Sequence, residues 1–92
     1  MELYLNFFSD DSHGWLEVPT MHLRALGIAN DISQYSYRKG DNSYLEEDCD
    51  ASIFLRKAEA EKIKVRILNH PQIGRSRIRN YVPYKLLAPQ FA

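Results

Sequence analysis

Apolar and polar side chains alternate in Glu2–Phe8, with Leu3, Leu5 and Phe7 on one side and Glu2, Tyr4 and Asn6 on the other. Successive side chains of an extended strand point to opposite faces, so this pattern calls for a sheet with one buried face. The alternation returns in Ile32–Arg38, where Tyr35 and Tyr37 share a side, and in Ile63–Leu68. It returns again in Ser76–Val82, where Ile78 and Val82 oppose Arg77, Arg79 and Tyr81. Trp15–Val18 reads as a short strand paired to the first across the turn-forming cluster Ser9–Gly14. Lys39-Gly40-Asp41-Asn42 supplies the residues of a tight reversal, which makes Ser43–Glu47 the returning strand of a hairpin.

Two segments break the alternation. Pro19 and Thr20 open a short helix that runs to about Leu26, with Gly27 as its stop. Ala51, Phe54, Leu55 and Ala58 fall at the i, i+3, i+4, i+7 spacing of an amphipathic helix reaching about Lys62. Asp48 or Asp50 is its expected cap. The order β-β-α-β-β-α-β-β predicts an α+β fold: a mainly antiparallel sheet of five to six strands with two helices on one face. The longer helix is placed as a crossover between parallel neighbours.

A chain of 92 residues has material for one core, so residues 1–85 are read as one domain. Pro83 and Pro89 predict an extended tail over 86–92. Cys49 is the only cysteine, which excludes an internal disulfide and a multi-cysteine zinc site. No basic region followed by a long apolar stretch opens the chain, and the apolar runs are short, so a cytoplasmic location without membrane contact is expected.

The net charge of zero conceals a segregation along the chain. Residues 1–52 hold ten acids and three bases, a balance of −7, and residues 53–92 hold nine bases and two acids, a balance of +7. Either the halves neutralise each other in the fold or one of them serves a charged partner. If Ile63–Leu68 pairs with Ser76–Val82, then Lys64, Arg66, Arg77 and Arg79 share one surface with Tyr81, flanked by Arg75 and Lys85. A cationic face carrying an aromatic suits phosphate neutralisation with base stacking, and also an acidic protein surface. A solvated outer sheet face would look the same.

Glu46, Glu47 and Asp48, continuing into Cys49 and Asp50, form the acidic counterpart. Consecutive strand residues diverge, so no metal cluster is expected there. The run reads as a helix cap and solvated strand end, or as an acidic surface for a basic partner. His13, His22 and His70 match no metal spacing, and His70 beside the basic set is the one candidate base for RNA cleavage. Acids flank Cys49 and disfavour its thiolate. Gln72–Ser76 lacks the pattern of a phosphate loop. Tyr35, Tyr37 and Tyr44 gather at the hairpin as cross-strand pairs or a recognition patch. No cofactor is expected.

The stretches Asp11–Pro19 (DSHGWLEVP) and Gly40–Ala51 (GDNSYLEEDCDA) resemble segments of short uncharacterised phage and bacterial mobile-element proteins. The resemblance covers about a quarter of the chain and carries over no functional residue. It implies a host-directed accessory protein, such as a defence-system inhibitor of the anti-CRISPR kind. The expected function is therefore non-enzymatic binding of a charged macromolecule, a host protein or nucleoprotein complex. Two alternatives follow from the same residues: a nucleic-acid-binding module, and a small metal-independent ribonuclease of the toxin type using His70, Arg77, Arg79 and Tyr81. Opposite charges on the two halves would also suit pairing between copies.

Overall fold

A computed structural model describes residues 1–85, and the expected tail over 86–92 lies outside the described residues. Strands β1 (Glu2–Ser9) and β2 (Gly14–Pro19) form an antiparallel pair, followed by helix α1 (Thr20–Ala25) and a 3₁₀ turn at Ala29–Asp31. A hairpin of β3 (Tyr37–Lys39) and β4 (Asn42–Glu46) leads into helix α2 (Ala51–Ala60) and strand β5 (Lys64–Pro71). A 3₁₀ turn at Arg77–Asn80 precedes the two-residue strand β6 (Val82–Pro83). The six strands form one mixed, mostly antiparallel sheet in the order β5-β1-β2-β4-β3-β6. The α+β reading of the sequence therefore holds.

Helix α2 is a crossover, but not between neighbours. It carries the chain from β4 past β2 and β1 to β5, which pairs in parallel with β1 through Glu2↔Lys64 to Ser9↔Pro71. The helices lie on the face that bears Leu5, Leu16, Val18 and Leu45, and Leu23, Ile28, Ile32, Ala51, Phe54 and Ala58 complete that core. Phe54 is wholly buried, a contribution of about 1.5–3 kcal/mol for a side chain of that size. The spacing that predicts α2 is the spacing that buries it.

Both helices end in one geometry. In α1 the N–H of Ile28 bonds the carbonyl of Leu23 and that of Gly27 bonds Arg24, with Gly27 at φ 74°. In α2 the same pair of bonds joins Ile63 to Ala58 and Lys62 to Glu59, with Lys62 at φ 61°. This is the Schellman arrangement, which uses a left-handed residue to satisfy the last carbonyls.

Three sequence expectations are corrected. Ile32–Arg38 is not a strand: only Tyr37–Lys39 is extended, because Asp50 draws the preceding backbone into a turn. Its Oδ2 accepts from the N–H and hydroxyl of Ser33 and from the hydroxyl of Ser36. For the same reason Asp50 stands at the N-cap position of α2 without capping it. Ser76–Val82 is not a strand beside β5; it turns, and β6 adds to β3 at the opposite edge of the sheet.

Candidate functional site

The face away from the helices carries the polar half of each alternation. The register brings Tyr4, Asn6 and Phe8 of β1 beside Arg66, Leu68 and His70 of β5. It also sets Phe8 beside Trp15, Trp15 beside Glu46, and Glu17 beside Tyr44, which in turn pairs with Tyr37. Phe8 and Trp15 are large aromatics on a mostly polar face, and the chain after β5 folds back to cover them. Ile78 from the 3₁₀ turn buries itself against Trp15 and Tyr44, with Phe8, Tyr37 and Tyr81 packed around them.

Asp10 holds that cover in place. Its Oδ1 accepts from the backbone of Ser12 and His13 and from Arg79 Nη2 at 3.0 Å. Its Oδ2 accepts from Ser76 N and Arg79 Nε, both at 2.8 Å. The Asp10 side chain is 1% exposed. The Arg79 guanidinium, helped by these backbone N–H groups, holds its carboxyl well below the usual carboxylate range. Arg79 then lies over the Trp15 ring, 5.3 Å from its centre.

Two clefts flank this cover. The first, about 450 Å³, has Phe8, Glu17 and Tyr44 at its base and His70, Arg75, Arg77 and Tyr81 around it. The His70 ring stacks on Phe8 with centres 5.0 Å apart, and Tyr81 meets Tyr44 edge-on at 5.1 Å. A chain of hydrogen bonds crosses the floor. The Tyr44 hydroxyl donates to Glu17 Oε2 at 2.8 Å, Asn6 Nδ2 donates to Glu17 Oε1 at 3.1 Å, and His70 Nε2 meets Asn6 Oδ1 at 2.9 Å. Since the Asn6 amide donates toward Glu17, its oxygen accepts from His70, which puts the ring proton on Nε2. Burial, reinforced by the bond to Glu17, pushes the Tyr44 hydroxyl above the ordinary phenol range.

The second cleft, about 280 Å³, lies on the other side of Arg79 and is lined by His13, Trp15, Tyr35, Tyr37, Glu46, Asp48 and Cys49. Strand β4 ends at Glu46 and the next residues turn, so the acidic run does not alternate as expected. Glu46 and Asp48 instead converge with His13, each offering a ligand atom within 4.8 Å of the others. Burial, then the Glu46 carboxylate, pushes the Cys49 thiol up. Glu47 is exposed and is not part of the converging set.

The predicted basic set is therefore divided. Lys64 and Arg66 sit on β5, and Arg66 is paired with Glu2 at 2.7 Å. Arg79 is turned inward to Asp10, and Lys85 reaches the carbonyl of Asn30 at 3.4 Å. Arg75 and Arg77 are exposed and pair with no carboxylate among the described residues. Arg77 also borders a surface hollow shared with Arg38 and Lys39. The charged halves thus neutralise each other at Glu2–Arg66 and Asp10–Arg79, and leave Arg75 and Arg77 at the first cleft with Tyr81.

Sequence reasoning missed Asn6, Phe8, Glu17 and Trp15 as site residues. A signal was present: Phe8 and Trp15 fall on the polar side of their own strands, as aromatics awaiting a cover. No family model, no curated protein and no solved structure matches the chain.

Proposed function

We propose that this chain is a non-enzymatic binding protein that engages a charged macromolecule through the first cleft, with single-stranded nucleic acid as its ligand. The observation that carries the reading is the pairing of two arginines that no carboxylate among the described residues neutralises, Arg75 and Arg77, with aromatic faces at the base of one cleft. Phosphates would meet the guanidinium groups while a base enters against His70, Phe8 or Tyr81. Base–aromatic stacking contributes about 1–3 kcal/mol per base and tolerates any sequence. Lys39, 4.8 Å above the Tyr81 ring, extends the positive rim. In the setting implied by the likeness to phage and mobile-element proteins, the target is the nucleic acid of a host nucleoprotein complex, and the protein is an inhibitor of a defence system such as an anti-CRISPR.

Fluorescence anisotropy with labelled single-stranded RNA and DNA, across a salt series, tests this. Wild type should bind with an affinity that falls as salt rises. Reversing both charges (Arg75→Glu with Arg77→Glu) should lower the slope of log K against log salt by about 1.4, two phosphate contacts at about 0.7 each. Equal binding by the double variant would refute the cleft as the site. A nuclease-resistant protein recovered from bacterial lysate by wild type alone would replace nucleic acid with an acidic protein as the ligand.

A second reading draws on the floor of the same cleft. With its proton on Nε2, His70 presents Nδ1 as an acceptor in a cleft that also holds Glu17 and two arginines, the groups that metal-independent RNA cleavage uses. Release of RNA fragments without added metal, lost in His70→Ala, would establish it. RNA left intact after long incubation removes it.

A further inference from the structure

The second cleft contains polar atoms that the fold brings together without satisfying. Glu46 is 8% exposed, and its Oε2 has no hydrogen-bond partner among the described residues. His13 Nδ1, also buried and without a hydrogen bond, lies 3.5 Å from it. Trp15, 2% exposed, lines the same cavity with an indole N–H that no described residue accepts. Leaving a buried polar atom unpaired costs about 1–3 kcal/mol. Glu46 Oε2 and His13 Nδ1 can share a cation, whereas the Trp15 N–H, a donor only, needs an acceptor beside it.

We propose that His13, Glu46 and Asp48 form a binding site for a first-row transition-metal dication of the zinc type. The ligand chemistry fits: an imidazole nitrogen with two carboxylates suits zinc better than magnesium or calcium, which prefer oxygen alone. The spacing fits as well. Two ligands about 2.0–2.1 Å from a tetrahedral metal stand roughly 3.4 Å from each other, close to the 3.5 Å between His13 Nδ1 and Glu46 Oε2. Asp48 is exposed and free to turn toward the same point.

The surroundings orient the ligands. Glu46 Oε1 accepts from the backbone N–H of Asp48 at 2.9 Å, which leaves Oε2 aimed at His13. The His13 backbone is fixed by its N–H to Asp10 Oδ1 and by its carbonyl, which accepts from the Asp10 N–H, so the turn that presents the ring is held. The bond to Glu46 Oε1 is of the kind that holds a ligating carboxylate in place around a metal. Three protein ligands leave a fourth position for water or an anion, and the Trp15 N–H is the donor available to it in the cavity wall. Cys49 borders the cavity, but its sulfur is not part of the convergent set.

Trp15 is the only tryptophan in the chain and reports on the site directly. The full chain, free of any histidine tag and stripped with chelator, is titrated with nickel or cobalt while indole emission is followed. Saturable 1:1 quenching, reversed by competing zinc, is expected. His13→Ala and Glu46→Gln should each weaken binding by at least about tenfold. Asp48→Asn, at an exposed position that leaves the core untouched, should do the same and keeps the test valid if the Glu46 variant fails to fold. Cys49→Ser should bind as wild type does. Absence of saturable quenching, or affinity unchanged in both His13→Ala and Asp48→Asn, overturns the site; loss in Cys49→Ser overturns the ligand set.

Discussion

On the helix side of the sheet, Leu16, Val18, Leu23, Ile32, Leu45 and Phe54 are sealed from solvent, and the elements that cover them are two helices. On the opposite side the buried apolar cluster among the described residues is Trp15, Tyr44 and Ile78, beneath an irregular turn. The same strands supply both faces by alternation. The first is held by apolar area, the second by a few directional contacts centred on Asp10. The charged side chains that line the two clefts lie on or beside the second face, where the cover is too short to close the surface. A small domain can therefore leave its chemistry at the edges of an incomplete layer without drawing on its main core.

That contrast predicts unequal losses. Phe54→Ala should destabilise the protein by about 3–5 kcal/mol in urea or thermal unfolding, since it opens a cavity in the continuous core. For a domain of this size such a loss takes up much of the total stability. Ile78→Ala should cost about 2 kcal/mol, the low end for an isoleucine, because only a small cluster surrounds it. Its more specific effect is local: amide exchange should quicken over Arg75–Tyr81 while β1, β2 and β4 stay protected. If Ile78→Ala matches Phe54→Ala, the two faces form one cooperative core and the comparison fails.

Acid should separate the faces further. The Asp10 carboxyl is held well below its ordinary value of about 3.9, mainly by Arg79, so the folded state binds its proton less readily than the unfolded chain. Its contribution is therefore complete above about pH 4 and is lost as pH falls from there toward the lowered folded value. Asp10→Asn should be less stable than wild type at neutral pH and should lose less on acidification from pH 5 to pH 2. Parallel acid profiles for the two proteins would show that Asp10 does not anchor the cover.

The contrast also marks what the sequence makes legible. β1, α2, β5 and the β3–β4 hairpin follow from local pattern, because alternation and helical spacing there match the face each element buries. The segment Ser76–Val82 alternates just as well, yet it turns. Its shape is set by Ser76 and Arg79 bonding a carboxylate 66 and 69 residues away, and no local period encodes such a bond. Asp50 acts likewise on Ser33 and Ser36 and undoes both the strand and the cap that the local pattern implies. The candidate site was half visible for the same reason. Arg75, Arg77, Tyr81 and the Glu46–Asp48 run stand out by composition, but their partners His13, Trp15 and Glu17 come from a distant hairpin.

The smallest expected effect on stability is the most informative about function. Arg75 and Arg77 are exposed and unpaired with any carboxylate among the described residues, so replacing both with glutamate removes no contact of the core or of the Asp10 anchor. Surface changes of this kind stay within about 0.5 kcal/mol per site. The unfolding midpoint of the double variant should accordingly lie close to that of wild type, while its binding of single-stranded nucleic acid collapses. An arginine kept for stability would show the reverse, a lower midpoint with binding intact. Stability and binding thus separate on the open face as they could not on the helix side, where Phe54 and its neighbours meet only one another.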